Sequence, residues 1–242
     1  MSLLSGLNKE TTKQAEEKDT VGFTRLPSDF YKGGIKMAYL DSSAKGSVFV
    51  RFELEVLTDA STTPPTTRKM THTEYISYAG GEFTKDGKTM RGLGVVNGLS
   101  NIIFGKDVLD LEREKKTIKV WEDGKEQMRE KEVITEFIGE KVGLGIIHKL
   151  VDNTPKSNDY KPDGTTKEVN EIDKFFDVDT QQTSAEKAKD EPATFFAEKW
   201  SPKYITGEVF NAAKGKAEGK AASGAQTANP SAGSNGGGAL FG

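Results

Sequence analysis

Ser47 to Leu57 reads SVFVRFELEVL, and this stretch decides the fold. Val48, Val50, Phe52, Leu54 and Val56 alternate with Phe49, Arg51, Glu53 and Glu55, a period of two held over a whole strand with one apolar and one mixed face. Before it, Gly34 to Leu40 reads as a strand with Ile35, Met37 and Tyr39 on one side and Lys36 opposite, and the polar link Asp41 to Gly46 makes the pair a hairpin. After it, beyond a Thr/Pro loop holding Pro64 and Pro65, Arg68 to Tyr78 reads as a third strand. Met70, His72, Glu74, Ile76 and Tyr78 face one way there, and Lys69, Thr71, Thr73 and Tyr75 the other.

Further on, Gly80-Gly81 and Asp86-Gly87 punctuate a loop or small hairpin. Leu93 to Phe104 carries Val95, Val96, Leu99, Ile102 and Ile103 at helical spacing. Thr117 to Glu122 predicts a short strand with Ile118 and Val120 inward, and Glu132 to Ile138 a short helix ending at Gly139. Val142 to Val151 predicts a buried strand, Val169 to Phe176 its return across a long polar loop, and Ala193 to Trp200 a short amphipathic helix. The inventory is mainly β, with one or two short helices and long loops but no βαβ alternation. It fits a Greek-key barrel of the OB type, and it also fits a β-sandwich.

The chain has 242 residues, no cysteine and a formal net charge of −3. Without cysteine there is no disulfide scaffold, thiolate metal site or cysteine nucleophile. No apolar run approaches the ~18 residues of a membrane helix. The first 18 residues are too acidic and too little apolar for a signal peptide, so the expected location is cytoplasmic. Residues 1–20 read as a flexible arm and 21–210 as one folded domain. Residues 211–242, with eight Gly and nine Ala, read as a disordered tail. Such a coil has an r.m.s. span of about 30 Å, and its only large apolar residues are Leu240 and Phe241. Charge is uneven: residues 61–106 hold six basic and three acidic side chains, whereas 152–210 hold eight and thirteen.

Catalytic patterns are missing. His72 and His148 lie on separate strands with no second ligand at metal spacing. Gly92-Leu93-Gly94 and Gly143-Leu144-Gly145 do not continue as phosphate-binding loops and read as close backbone packing or a turn. Asp177-Val178-Asp179 reads as an acidic turn. The chain is therefore expected to be no enzyme and to need neither cofactor nor metal.

A binding constellation remains. Residues 21–106 interleave ten aromatic with eleven basic side chains, the mixture that single-stranded nucleic acid uses: rings stack on unpaired bases and cations neutralise phosphates. Lys36, Phe49, Arg51, Lys69 and Tyr75 are expected to share one sheet face. The candidate DNA contacts are Arg25, Lys36, Tyr39, Lys45, Phe49, Arg51, Lys69, Tyr75, Tyr78, Phe83, Lys85, Lys88 and Arg91. The apolar tip Leu240, Phe241 and Gly242 is the candidate partner-binding segment.

Several pieces, in the same order, resemble the single-stranded DNA-binding proteins of podovirus-type bacteriophages. They are SLLSGLN near the start, GGIKMAYLDSSAKGSVFVRFELEV, VVNGLSNIIFGKDVLDLE, VITEFIGEKVGLGI, KEVNEIDKFFD and the terminal GGGALFG. The resemblance implies an OB-fold that coats single-stranded DNA during phage replication, recombination and repair in the host cytoplasm. It also implies a tail that recruits replication proteins such as a polymerase, helicase or primase. The tail departs from the usual acidic type, with Glu218 alone against Lys214, Lys216 and Lys220. That leaves open whether the tail also competes for the DNA groove, as the resemblance implies, and keeps recruitment through Leu240 and Phe241. Oligomeric state is left open, a homo-oligomer included. The rival readings are a virion structural or decoration protein with a β-sandwich body, and a metal-dependent nuclease using Asp177 and Asp179.

Overall fold

The computed structural model describes residues 25–122, 124–158 and 160–214. The N-terminal arm and the tip Leu240 to Gly242 lie outside them. The described chain forms two compact units. One comprises 25–149 with 168–210; the other comprises the described parts of 150–167 together with 211–214.

In the first unit, strands β1 (Asp29–Ser42), β2 (Val48–Asp59) and β3 (Thr66–Tyr75) form an antiparallel meander. A two-residue hairpin, β4 (Thr84–Lys85) and β5 (Lys88–Thr89), comes after it. Its turn residues Asp86 and Gly87 have φ of 51° and 73°, the left-handed pair that such turns require. Helix α1 (Arg91–Phe104) comes next, and then the ribbon of β6 (Arg113–Glu122) and β7 (Lys125–Ile134). Strand β8 (Lys141–Asp152) returns to lie beside β1, and β9 (Thr166–Phe176) pairs with β8. The order β8-β1-β2-β3 is that of a Greek key. The fold is mainly β as expected, and among the described residues the strands join in one branched eight-stranded sheet plus the small hairpin.

The alternation along β2 works as its sequence dictates. Val50, Phe52, Leu54 and Val56 are buried, joined in one core by Ile35, Ala38, Val142, Leu144 and Ile146, and by Val96 and Leu99 of α1 and Phe175 of β9. Each Val, Leu, Ile or Phe among them contributes about 1.5–3 kcal/mol on leaving water. The two Gly-Leu-Gly stretches are packing devices. A Cβ on Gly143 would lie 2.1 Å from the Phe176 ring, and one on Gly92 would lie 2.1 Å from the Tyr75 carbonyl oxygen. Phe176, Phe196 and Trp200 cover that side of β8 together with Ile147.

Several expectations are corrected. Ile35, Met37 and Tyr39 do not share a side, because the β1–β2 register shifts between Ile35 and Met37. Lys36 is the extra residue of a bulge, which flips the parity of the rest of the strand. Ile35 and Ala38 enter the main core, while Met37 and Tyr39 pack with Ile118, Val120 and Val133 on the other side. The helix expected at Glu132 to Ile138 is instead the end of β7 and a single 3₁₀ turn, Thr135–Phe137. Strand β3 stops at Tyr75, although Ile76 and Ser77 still donate to the Val48 carbonyl at 3.0 and 3.2 Å. Helix α2 (Ser184–Ala188) was unexpected, yet Thr183 and Glu186 form a capping box there. The amphipathic segment around Trp200 is a π turn, Phe196–Trp200, continuing into α3 (Ser201–Tyr204). A short strand, β10 (Phe210–Asn211), pairs with β8, so order runs into the stretch read as tail.

In the second unit, Asn153 donates to the Thr165 carbonyl at 2.8 Å and Ala212 to the Leu150 carbonyl at 2.9 Å. The Asp163 carboxylate accepts from the backbone and hydroxyl of Thr165 and from the Asn153 amide, which hold its pKa below the ordinary value. Among the described residues no helix is long and apolar enough to cross a membrane.

Candidate nucleic-acid interface

Cross-strand partners in an antiparallel sheet point to the same face. The register aligns Asp41, Phe49 and Tyr75 in one row and Tyr39, Arg51 and Thr73 in the next. Met37, Glu53 and Thr71 form a third row, and Glu55 stands beside Lys69. The bulged Lys36 reaches Glu55 at 2.6 Å. Lys36, Phe49, Arg51, Lys69 and Tyr75 therefore do share one face. Lys36 and Thr67 hold the Glu55 carboxyl below its ordinary pKa.

The members of that face differ in what they can touch. Tyr75 is 43% exposed and its ring lies 5.3 Å from that of Phe49, tilted by 60°. Phe49 is only 7% exposed, so it supports the Tyr75 ring and offers little surface of its own. The Arg51 guanidinium sits 5.6 Å from the Phe49 ring centroid, and its buried Nε finds no acceptor among the described residues. Tyr39 is 1% exposed beneath the β6–β7 ribbon and cannot stack on a base, which corrects its place among the contacts. Burial raises its phenol pKa, opposed by the charge and hydrogen bond of Arg51.

A second group gathers where the β1–β2 turn meets the β4–β5 loop. The Lys45 carbonyl accepts from Gly80 at 3.0 Å, the Tyr78 hydroxyl donates to the Lys88 carbonyl at 3.2 Å, and Met90 donates to the Phe83 carbonyl at 3.0 Å. Tyr78 is thus an anchor of this loop. Phe83 is 47% exposed, and Lys45, Lys85, Lys88 and Arg91 are all exposed. Arg91, Thr73, Tyr75 and Glu171 help to line a cleft of about 380 Å³. Arg25 precedes Leu26, whose backbone is bound to Asn170 of β9.

The ribbon adds basic residues that the pattern along the chain did not single out. Lys131 reaches Asp41 at 2.7 Å, and Arg129 reaches Glu122 at 3.0 Å. Arg129 and Lys131 occupy the column that also carries Val133, on the side facing Tyr39. Their signal was basic density: residues 113–131 hold seven Lys and Arg. The histidines are satisfied strand residues. His72 bonds Glu74 at 2.8 Å while packing on Phe175, and His148 bonds Glu168 at 3.0 Å. Asp177 is occupied in accepting from Lys187 and from the backbones of Asp179 and Thr180.

Comparison of the chain with protein-family models, with curated proteins and with solved structures finds no match.

Proposed function

We propose that this chain is a non-catalytic protein that binds single-stranded DNA with weak sequence preference. The observation that carries the reading is the Tyr75 ring, half-exposed on its Phe49 support beside Arg51, with Arg91 lining the same cleft and Lys69 farther along the same strand face. A base stacks on Tyr75, and phosphates on either side meet Arg51 and the loop cations; stacking contributes about 1–3 kcal/mol per base. Weak sequence preference results because every base has a flat face. The resemblance carried by the sequence extends this reading to coating DNA during phage replication, recombination and repair in the host cytoplasm. In the same way, Leu240, Phe241 and Gly242 would capture a replication polymerase, helicase or primase.

The test is a titration of labelled oligo-dT at two salt concentrations, with duplex DNA as competitor. Affinity falls steeply with salt, with a slope of ~0.7 per phosphate contact, and duplex competes poorly. Salt-independent affinity, or equal competition by duplex, would refute the proposal.

A further inference from the structure

The β6–β7 ribbon has one packed face and one bare face. Ile118, Val120 and Val133 pack on Tyr39 and Met37. The register places Arg113, Lys115, Thr117, Lys119 and Trp121 of β6 on the opposite face, beside Ile134, Glu132, Glu130, Met128 and Glu126 of β7. All of these except Ile134 are exposed. Trp121 is 65% and Met128 57% exposed, among the most exposed large apolar side chains described. A ribbon with one face already satisfied has no folding reason to place a tryptophan and a methionine together on the other.

The charges sort by strand. β6 contributes Arg113, Lys115 and Lys119, and β7 contributes Glu126, Glu130 and Glu132. Within the ribbon the pairs Lys119–Glu126 and Arg113–Glu132 are loose, at 3.5 and 3.8 Å. Lys115 and Glu130 have no ion-pair partner among the described residues. A positive column beside a negative one is self-complementary. A two-fold axis lying in the interface, parallel to the strands, sets β6 of one copy over β7 of the other. Lys115 then faces the partner's Glu132, Lys119 lies over the partner's Met128 between two glutamates, and Trp121 comes over the far end of the same column. An axis across the strands would instead set lysines over lysines, so charge selects between the two arrangements.

We infer that this face is where a second copy of the chain docks, ribbon on ribbon, in a two-fold dimer. The open rows, from Lys115 beside Glu132 to Trp121 beside Glu126, present a patch roughly 23 Å by 10 Å. That is below the ~800 Å² each partner buries in a standard interface, so the dimer is weak, concentration-dependent and sensitive to salt. The inference does not depend on DNA binding.

Sedimentation velocity of the full chain over about 1–100 μM at low salt tests it, a range chosen for an interface of this size. The weight-average mass should rise toward twice that of the chain. The variants K115E/K119E and E130K/E132K should each associate at least about tenfold more weakly alone, because like columns then meet. Mixed in equal amounts they should form the dimer again, since each reversed column meets its opposite, and a misfolded variant could not do this. Trp121→Ala should weaken association about tenfold while leaving the charges in place. A wild type that stays monomeric across the range overturns the inference. So does a dimer indifferent to both charge reversals, or a mixture that fails to associate.

Discussion

At the residue scale the structure separates side chains that look alike in sequence. Phe49 and Tyr75 are both strand aromatics on one face, but one is buried support and the other exposed surface. Gly143 is where a phosphate-loop reading and a packing reading part. An alanine there would push its Cβ into the Phe176 ring, so Gly143→Ala should cost about 3 kcal/mol from overpacking and backbone shift, visible as a lower thermal midpoint. Glu186 is the one buried carboxylate described, 6% exposed. Burial alone would raise its pKa, but hydrogen bonds from the backbones of Thr183, Phe195 and Thr194 and the Thr183 hydroxyl outweigh that and hold it below the ordinary 4.5. A depressed pKa contributes stability that is complete above 4.5 and is lost as pH falls through the folded value. Glu186→Gln should therefore be less stable than the wild type by about 2 kcal/mol at pH 7. In thermal melts, that gap should narrow as pH falls below 4.5 and on through the lowered folded value.

At the element scale, β2 was legible from end to end because burial on one face imposes a strict period of two. β7 was not, since KEQMREKE is exposed on its outer face and only half-shielded on the other, leaving no alternation to read. The bulge at Lys36 was equally silent: it costs one residue of register and has no compositional signature, yet it decides that Tyr39 lies under the ribbon. The β4–β5 loop was read correctly from Asp86-Gly87, because positive φ at both turn positions selects such residues. If that loop carries phosphate contacts, replacing Lys85 and Lys88 together by Ala should lower the salt slope of oligo-dT binding by ~1.4, about 0.7 per lost contact. The thermal midpoint should hardly change, because both side chains are exposed. An unaltered slope would place the DNA path elsewhere.

At the scale of the whole molecule, the net charge of −3 averages over parts of different character. It bears on solubility, while binding turns on where the cations are placed. Fold class and the shared face of Lys36, Phe49, Arg51, Lys69 and Tyr75 derive from local periodicity and cross-strand parity, which a sequence displays. That Tyr39 is buried on that face depends on how the β6–β7 ribbon packs on β1, a contact between distant segments that no local pattern encodes. The most direct test of single-stranded DNA binding on this face compares wild type with Tyr75→Ala for oligo-dT affinity at low salt. Wild type should bind, and the variant should bind about fivefold to a hundredfold more weakly with an unchanged thermal midpoint. No binding by the wild type, or equal binding by both proteins, would contradict it.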